Sequence, residues 1–196
     1  QSRLQASDAS IYDCFGSSTS INSDGTTVAI GAYFKTGTAT NCGSTYVFTV
    51  SSLATDAHAQ TAKLNQNLSI YASAQFGSSV SINNDGTVLT IGSSQDSTAA
   101  TNAGSSFIYT RTAGGVWSQF TQLLASDAAA SDNFGTSVST NYDGTVFAVG
   151  SPLHATTTPA ASQAGSAYVF TRTASGTNFT QFSYLDPVSY THLRAH

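Results

Sequence analysis

Every acidic side chain in this 196-residue chain is an Asp, and four of the ten fall into two matched pairs. Asp8 precedes Asp13 by five residues, and Asp127 precedes Asp132 by the same step. Two carboxylates facing one bond are the equipment of glycoside hydrolysis. The same spacing on a loop serves as well to bind nearby backbone N–H groups. No second catalytic feature joins them. Ser is abundant, but no Gly-x-Ser-x-Gly elbow is present. His58 and His154 have no Ser and Asp partner set, and His192 and His196 lie at the very end of the chain. The sequence therefore predicts no catalytic residue and no enzyme.

Composition points to the elements that carry these side chains. Only 8% of residues are charged, against about 25% in an average soluble domain. Glu and Met are absent, while Ser, Thr, Ala and Gly are abundant. Good helix formers are scarce and turn formers plentiful, which is an all-β composition. The six basic residues, Arg3, Lys35, Lys63, Arg111, Arg172 and Arg194, do not cluster. A nucleic-acid partner needs a basic stripe, so none is expected. No apolar run approaches the roughly 20 residues of a membrane span.

A phrase recurs three times. Phe-Gly stands at Phe15-Gly16, Phe76-Gly77 and Phe134-Gly135. Asp-Gly follows at Asp24-Gly25, Asp85-Gly86 and Asp143-Gly144, and a further Gly at Gly31, Gly92 and Gly150. Gly-Ser then recurs at Gly43-Ser44, Gly104-Ser105 and Gly165-Ser166. Each copy reads as four strands, with the Asp-Gly pair turning the first into the second. The third strand, such as Tyr46-Val47-Phe48-Thr49, is apolar on both faces, so it is buried on both sides. Antiparallel four-stranded sheets stacked on their own kind are propeller blades. The small-residued first strand fits the crowded innermost position, and the more polar fourth strand the outer rim. The expected fold is all-β: a partial β-propeller of three four-stranded antiparallel blades, at residues 4–64, 65–123 and 124–186.

Phe-Gly, Asp-Gly-Thr, Gly-Ser-Pro and Gly-Ser-Ala-Tyr-Val-Phe together resemble the FG-GAP repeat, which builds the β-propeller of integrin α subunits and of many surface proteins. Gly150-Ser151-Pro152 is near the third element, while Gly31-Ala32-Tyr33 and Gly92-Ser93-Ser94 depart from it. The resemblance runs from about Leu4 to Asp186. It implies a propeller of about seven blades, often extracellular or on the cell surface, serving adhesion or binding. Three blades do not close a ring, so missing blades or self-association are expected. Residues 188–196, and more weakly 1–3, resemble translated sequencing-adaptor DNA, which makes 187–196 a non-native tail and the chain a fragment.

The resemblance also raises calcium, because such repeats often carry several acids at the Asp-Gly loop. A hard cation wants several oxygen ligands, carboxylates among them. Here the matching positions are Ser20, Asn22 and Asp24; Ser81, Asn83 and Asp85; Ser139, Asn141 and Asp143. One carboxylate remains per loop, and the later ligand position is Val28, Leu89 or Phe147. Asp24, Asp85 and Asp143 are thus weak metal candidates, read first as turn formers, and no cofactor is expected.

Binding is expected on the long loops between second and third strands, 32–42, 93–103 and 151–164, which hold Lys35, Asp96 and His154. In integrins the corresponding rim meets partners. The ligand, protein or glycan, is not legible. For a glycan, Tyr33, Phe34 and Trp117 are the candidate stacking surfaces. Association with the catalytic domain of a secreted hydrolase is a further reading. Cys14 and Cys42 precede the first and third strands on one rim. Those strands lie roughly 9–10 Å apart, beyond the ~7 Å a disulfide tolerates, unless the loops lean inward. A bridge and two free thiols both stay open. Asn67-Leu68-Ser69 and Asn178-Phe179-Thr180 are glycosylation sequons.

Overall fold

The Asp-Gly step makes the same turn in all three copies. Gly25 N–H donates to Asn22 O at 3.1 Å, Gly86 to Asn83 at 3.2 Å, and Gly144 to Asn141 at 3.2 Å. These glycines have φ of 71–73°, a left-handed conformation that a Cβ would strain. The preceding Asp locks the turn from outside. Its Oδ1 accepts from the backbone N and the hydroxyl of the Thr two residues on, at Thr26, Thr87 and Thr145.

A computed structural model describes residues 3–50, 58–66, 72–157, 160–161, 163–172 and 179–186. The sequons' Asn67 and Asn178 and the tail from 187 on lie outside the described residues. The chain forms a partial β-propeller of three unclosed antiparallel sheets, each ordered along the chain. The first holds β1 (Ser18–Ile21), β2 (Thr27–Ala32), β3 (Ser44–Val50) and β4 (His58–Leu64). The second holds β5 (Phe76–Ile82), β6 (Val88–Ser93), β7 (Ser105–Arg111) and β8 (Trp117–Leu123). The third holds β9 (Ser137–Thr140), β10 (Val146–Ser151), β13 (Ser166–Arg172) and β14 (Phe179–Leu185). A hairpin not expected from the sequence, β11 (Thr156–Thr157) with β12 (Ala160–Ala161), rises from the last long loop. No helix occurs among the described residues, and none there is long and apolar enough to cross a membrane.

The first strands, β1, β5 and β9, pack against one another in succession, the arrangement of innermost strands. Their small residues allow it. A Cβ added to Gly31 would stand 2.0 Å from Gly77 O, and one on Gly92 would stand 1.9 Å from Gly135 O. Two apolar layers fill the gaps between blades. Ala29, Val47, Phe76, Ile91 and Phe107 form the first, and Ile108, Phe134, Phe147, Val149 and Tyr168 the second. A third cluster, with Ile30, Tyr46 and Phe48, lies on the outer face of blade 1 beneath Leu4, Ala6 and Phe15.

Burial of the third strand on both faces holds for β3 and β7. In β13 it alternates, because none of the described residues covers its outward face. The residue pattern is the same in all three copies, so position in the stack sets the burial.

Candidate functional site

The loops that end and begin each blade meet on one rim, and a buried polar cluster holds them together. Lys35, Asp96 and His154 occupy one structural position. Each backbone carbonyl accepts from the Gly that opens the third strand, Gly43, Gly104 or Gly165, at 2.9 Å. Each stands four residues after the glycine of the second strand. The sequence places them on loops open to a ligand. The structure instead buries all three, at 6%, 0% and 8% exposure, and pairs each internally.

In blade 1, Lys35 Nζ donates to Asp13 Oδ2 at 2.9 Å and to the carbonyl oxygen of Asp8. Asp8 Oδ2 stands 3.6 Å from Lys35 and 2.7 Å from Lys63. Tyr46 donates its hydroxyl to Asp8 Oδ1 at 2.7 Å. Asp13 closes its own loop by accepting from Ser10 N at 2.6 Å. Partial burial pushes the Asp8 carboxyl up. The hydrogen bonds of Lys63 and Tyr46, with the charges of Lys63 and Lys35, outweigh it and hold it at about 2. Burial pulls Lys35 down, but Asp13 and Asp8 more than reverse it, and the ammonium is held above its ordinary range. Tyr46 is pushed up, by burial first and then by the Asp8 carboxylate.

Blade 3 repeats the arrangement with an imidazole. His154 Nδ1 donates to Asp132 Oδ2 at 2.9 Å, and Nε2 stands 3.6 Å from Asp127 Oδ2. An ionised carboxylate only accepts, so this geometry places a proton on Nδ1. Tyr168 donates to Asp127 Oδ1 at 2.8 Å, as Tyr46 does to Asp8. Asp132 closes its loop through Ala129 N at 2.7 Å. Burial and then Asp127 push the Tyr168 hydroxyl up.

Blade 2 inverts the polarity. Ala74 stands at the place of Asp13 and Asp132, and Phe107 at the place of Tyr46 and Tyr168. The buried position is now the acid, Asp96. It accepts from Gln66 Nε2 and, at 2.9 Å, from Thr98 N. Where the approaching loop supplies acids, the pocket holds a cation or an imidazole; where it supplies none, the pocket holds the carboxylate. Sequence reasoning missed Tyr46, Tyr168 and Gln66, though the presence of Tyr only in the copies with paired acids was a usable signal.

This geometry suits positioning better than proton transfer. A glycosidase acid needs its pKa raised, and Asp8 moves the other way. At the turns, each carboxylate is already engaged by a Thr. That hydroxyl, with the backbone N–H, holds Asp24 and Asp143 low, and in Asp85 it outweighs the opposing effect of burial. Among the described residues, no group of three His, Cys, Asp or Glu side chains could hold a metal.

The cysteines are separate free thiols, Cys14 exposed and Cys42 buried, so the bridge that the loops left open is not formed. Cys14 has a left-handed φ of 57°, like Gln75 and Asn133 at the same position. Cys42 Sγ turns inward, 3.8 Å from the carbonyl oxygens of Lys35 and Gly43. The three aromatics are half-buried. The Tyr33 and Phe34 rings pack against each other tilted at 45°, with centroids 4.4 Å apart. Trp117 packs against the first apolar layer, and its buried indole Nε1–H has no partner among the described residues. By contrast Ile11 and Tyr12, at the tip of the loop between Asp8 and Asp13, are 81% and 86% exposed.

The fold has counterparts among solved structures. Saccharomyces cerevisiae Sqt1 is similar at a TM-score of 0.55 and 12% identity, over 90% of this chain and 37% of that one. A Lactobacillus plantarum protein is similar at 0.53 and 11%, over 89% of this chain and 43% of that one. The chain thus spans less than half the length of either. No curated protein matches it in sequence. The FG-GAP repeat profile matches residues 1–48 and 117–170, just over half of the chain. With its Phe-Gly, Asp-Gly and Gly-Ser anchors in place in three successive blades, this chain belongs to the FG-GAP repeat family.

Proposed function

We propose that the chain is the blade portion of a non-enzymatic binding or adhesion scaffold, acting outside the cell or at its surface. The observation that carries this reading is the buried cluster repeated under the rim. In each blade Lys35, Asp96 or His154 clamps one loop to the next rather than facing an open site. Rigid loops cost less entropy when a partner orders against them. FG-GAP repeats are typical of extracellular proteins, which favours that compartment.

The test is capture on the immobilised chain from panels of extracellular proteins and of glycans. Binding should disappear when residues 36–41 and 97–102 are replaced by Gly and Ser, and survive substitution of Ser23 and Asn84 on the opposite rim. Binding indifferent to the loop replacements would refute the rim.

A glycan ligand is the second reading. It is favoured by the cleft of about 360 Å³ that Lys63, Asn65, Tyr109 and Trp117 line. Glycan capture lost in Trp117→Phe but unaffected by the loop replacements would select it.

A further inference from the structure

The pockets of blades 1 and 3 hold the same two acids with different cations. In blade 1 two ammonium groups meet them. Lys35 pairs with Asp13 at 2.9 Å and with Asp8 at 3.6 Å, and Lys63 pairs with Asp8 at 2.7 Å. In blade 3 one imidazole stands in for Lys35 toward both acids. His154 Nδ1 meets Asp132 Oδ2 at 2.9 Å, and Nε2 stands 3.6 Å from Asp127 Oδ2. Lys63 is the register partner of Tyr46, and Tyr184 is that of Tyr168. A tyrosine thus takes the place of the second ammonium.

That exchange ties the charge of the pocket to pH. A lysine stays charged across the neutral range, whereas an imidazole changes charge between about pH 5 and 8. A neutral ring with its proton on Nδ1 still donates to Asp132. Its Nε2 then turns a lone pair to Asp127, which itself only accepts. Two carboxylates flank one neutral ring, and Asp132 is 3% exposed. Protonated, the same ring donates from both nitrogens and serves both acids.

The other groups around His154 do not replace that charge. Tyr168 meets the imidazole edge-on, with centroids 6.1 Å apart, and donates its hydroxyl to Asp127 Oδ1. Burial and the acids around it keep that hydroxyl protonated. Asp186, after β14, accepts from Ser166 and adds a further negative charge near Tyr168. Pro152 and Leu153, which precede His154, carry no charge. The preceding blade gives the approaching loop only backbone acceptors here, Thr101 O to Ser131 N and Asn102 O to Asn133 N.

We infer that His154 is a pH-dependent clamp on the loop that enters blade 3. Its imidazolium holds Asp127 to Asp132, and the loop loosens as rising pH removes the proton. The folded pocket favours the charged form, so the stabilisation is complete on the acid side and is lost as pH rises. Blade 1, clamped by lysines, stays shut over the same range. The backbone bonds of Ser131, Asn133 and Leu153, and the bond from Ser151 Oγ to Asp132 O, persist without the charge. The opening is therefore confined to residues 127–130. Nothing in this clamp depends on the binding reading, so either can fail alone.

Hydrogen exchange at single amides, read by NMR and corrected for the intrinsic rate, tests it between about pH 5.5 and 8. The two blades offer matched reporters. Ala128 N donates to Ala125 O and Ala129 N to Asp132 Oδ2, as Ala9 N does to Ala6 O and Ser10 N to Asp13 Oδ2. A local readout is needed because a second imidazole, His58, lies 3.3 Å from Gly25 O in blade 1. Protection of Ala128 and Ala129 should fall about tenfold from the lower pH to the higher, the size of one charge-assisted hydrogen bond. That of Ala9 and Ser10 should not change. His154→Lys should keep Ala128 and Ala129 protected at both pH values, and His154→Gln should leave them fast at both. Three outcomes overturn the inference: protection in the parent that does not fall with rising pH, a pH dependence that persists in His154→Lys, or His154→Gln as protected as the parent at the lower pH. If His154→Gln does not fold, the parent and His154→Lys decide between them.

Discussion

A buried charge is tolerated only with its partners, and Lys35 has two, Asp8 and Asp13. Removing one member of a buried ion pair costs about 3–5 kcal/mol, because the other is left uncompensated. Lys35→Met strands the 7%-exposed Asp13 and should lower stability by that amount in urea unfolding. His154→Lys should cost under about 1.5 kcal/mol, since blade 1 satisfies the same two acids with Lys. A loss as large as that of Lys35→Met would mean that the two pockets are not equivalent. Asp8 adds a pH dependence. Its pKa falls from 3.8 to about 2, so its contribution is present above about pH 4 and is lost as pH falls towards 2. With 41% of the side chain exposed, screening reduces this to about 1 kcal/mol. Asp8→Asn should flatten the acid limb of the stability curve by that much. At the turns, Asp85→Ala should cost under about 1 kcal/mol, with millimolar calcium leaving Tm unchanged in parent and variant. A calcium-dependent rise in the parent that the variant loses would make the turn a metal site.

Strand spacing is set by what glycine leaves out. Gly92 brings β6 within reach of the Gly135 carbonyl, and the obstacle is backbone, which cannot rotate aside. Gly92→Ala should therefore separate blades 2 and 3 and cost about 3 kcal/mol or more. Gly114, in the loop after β7, is the control. A Cβ there meets only Thr112 Oγ1 at 3.8 Å, and its φ is not left-handed. Gly114→Ala should be neutral or slightly stabilising, through the reduced freedom of the unfolded chain. Thermal unfolding of the two variants side by side separates close approach from a general preference for glycine.

Across the molecule, burial follows order in the stack. β6 is buried at all six positions, while β10 alternates. Protection from hydrogen exchange reports local opening. It should be greatest in β6 and β7 and weakest in β9 and β14. Strong protection of β9 would show that blade 3 is stable without a neighbour on its outward face.

The sequence by itself determined the blade. Phe-Gly, Asp-Gly and the two later glycines act on φ, on tight turns and on the approach of adjacent backbones, which are local constraints repeated at near-constant spacing. The third strand's double-sided apolar run told that blades stack. Only tertiary structure decided what the charged residues do. Lys35 meets Asp8 and Asp13 across more than twenty residues, and Asp96 meets Gln66 across thirty. Nothing local marks those partners. A lysine in a long polar loop reads as exposed because burial depends on every neighbour at once, and bridge and free thiols both stay open for Cys14 and Cys42 until the fold places one at the surface and the other inside. Propensity and periodicity are written along the chain; charge burial is written across it.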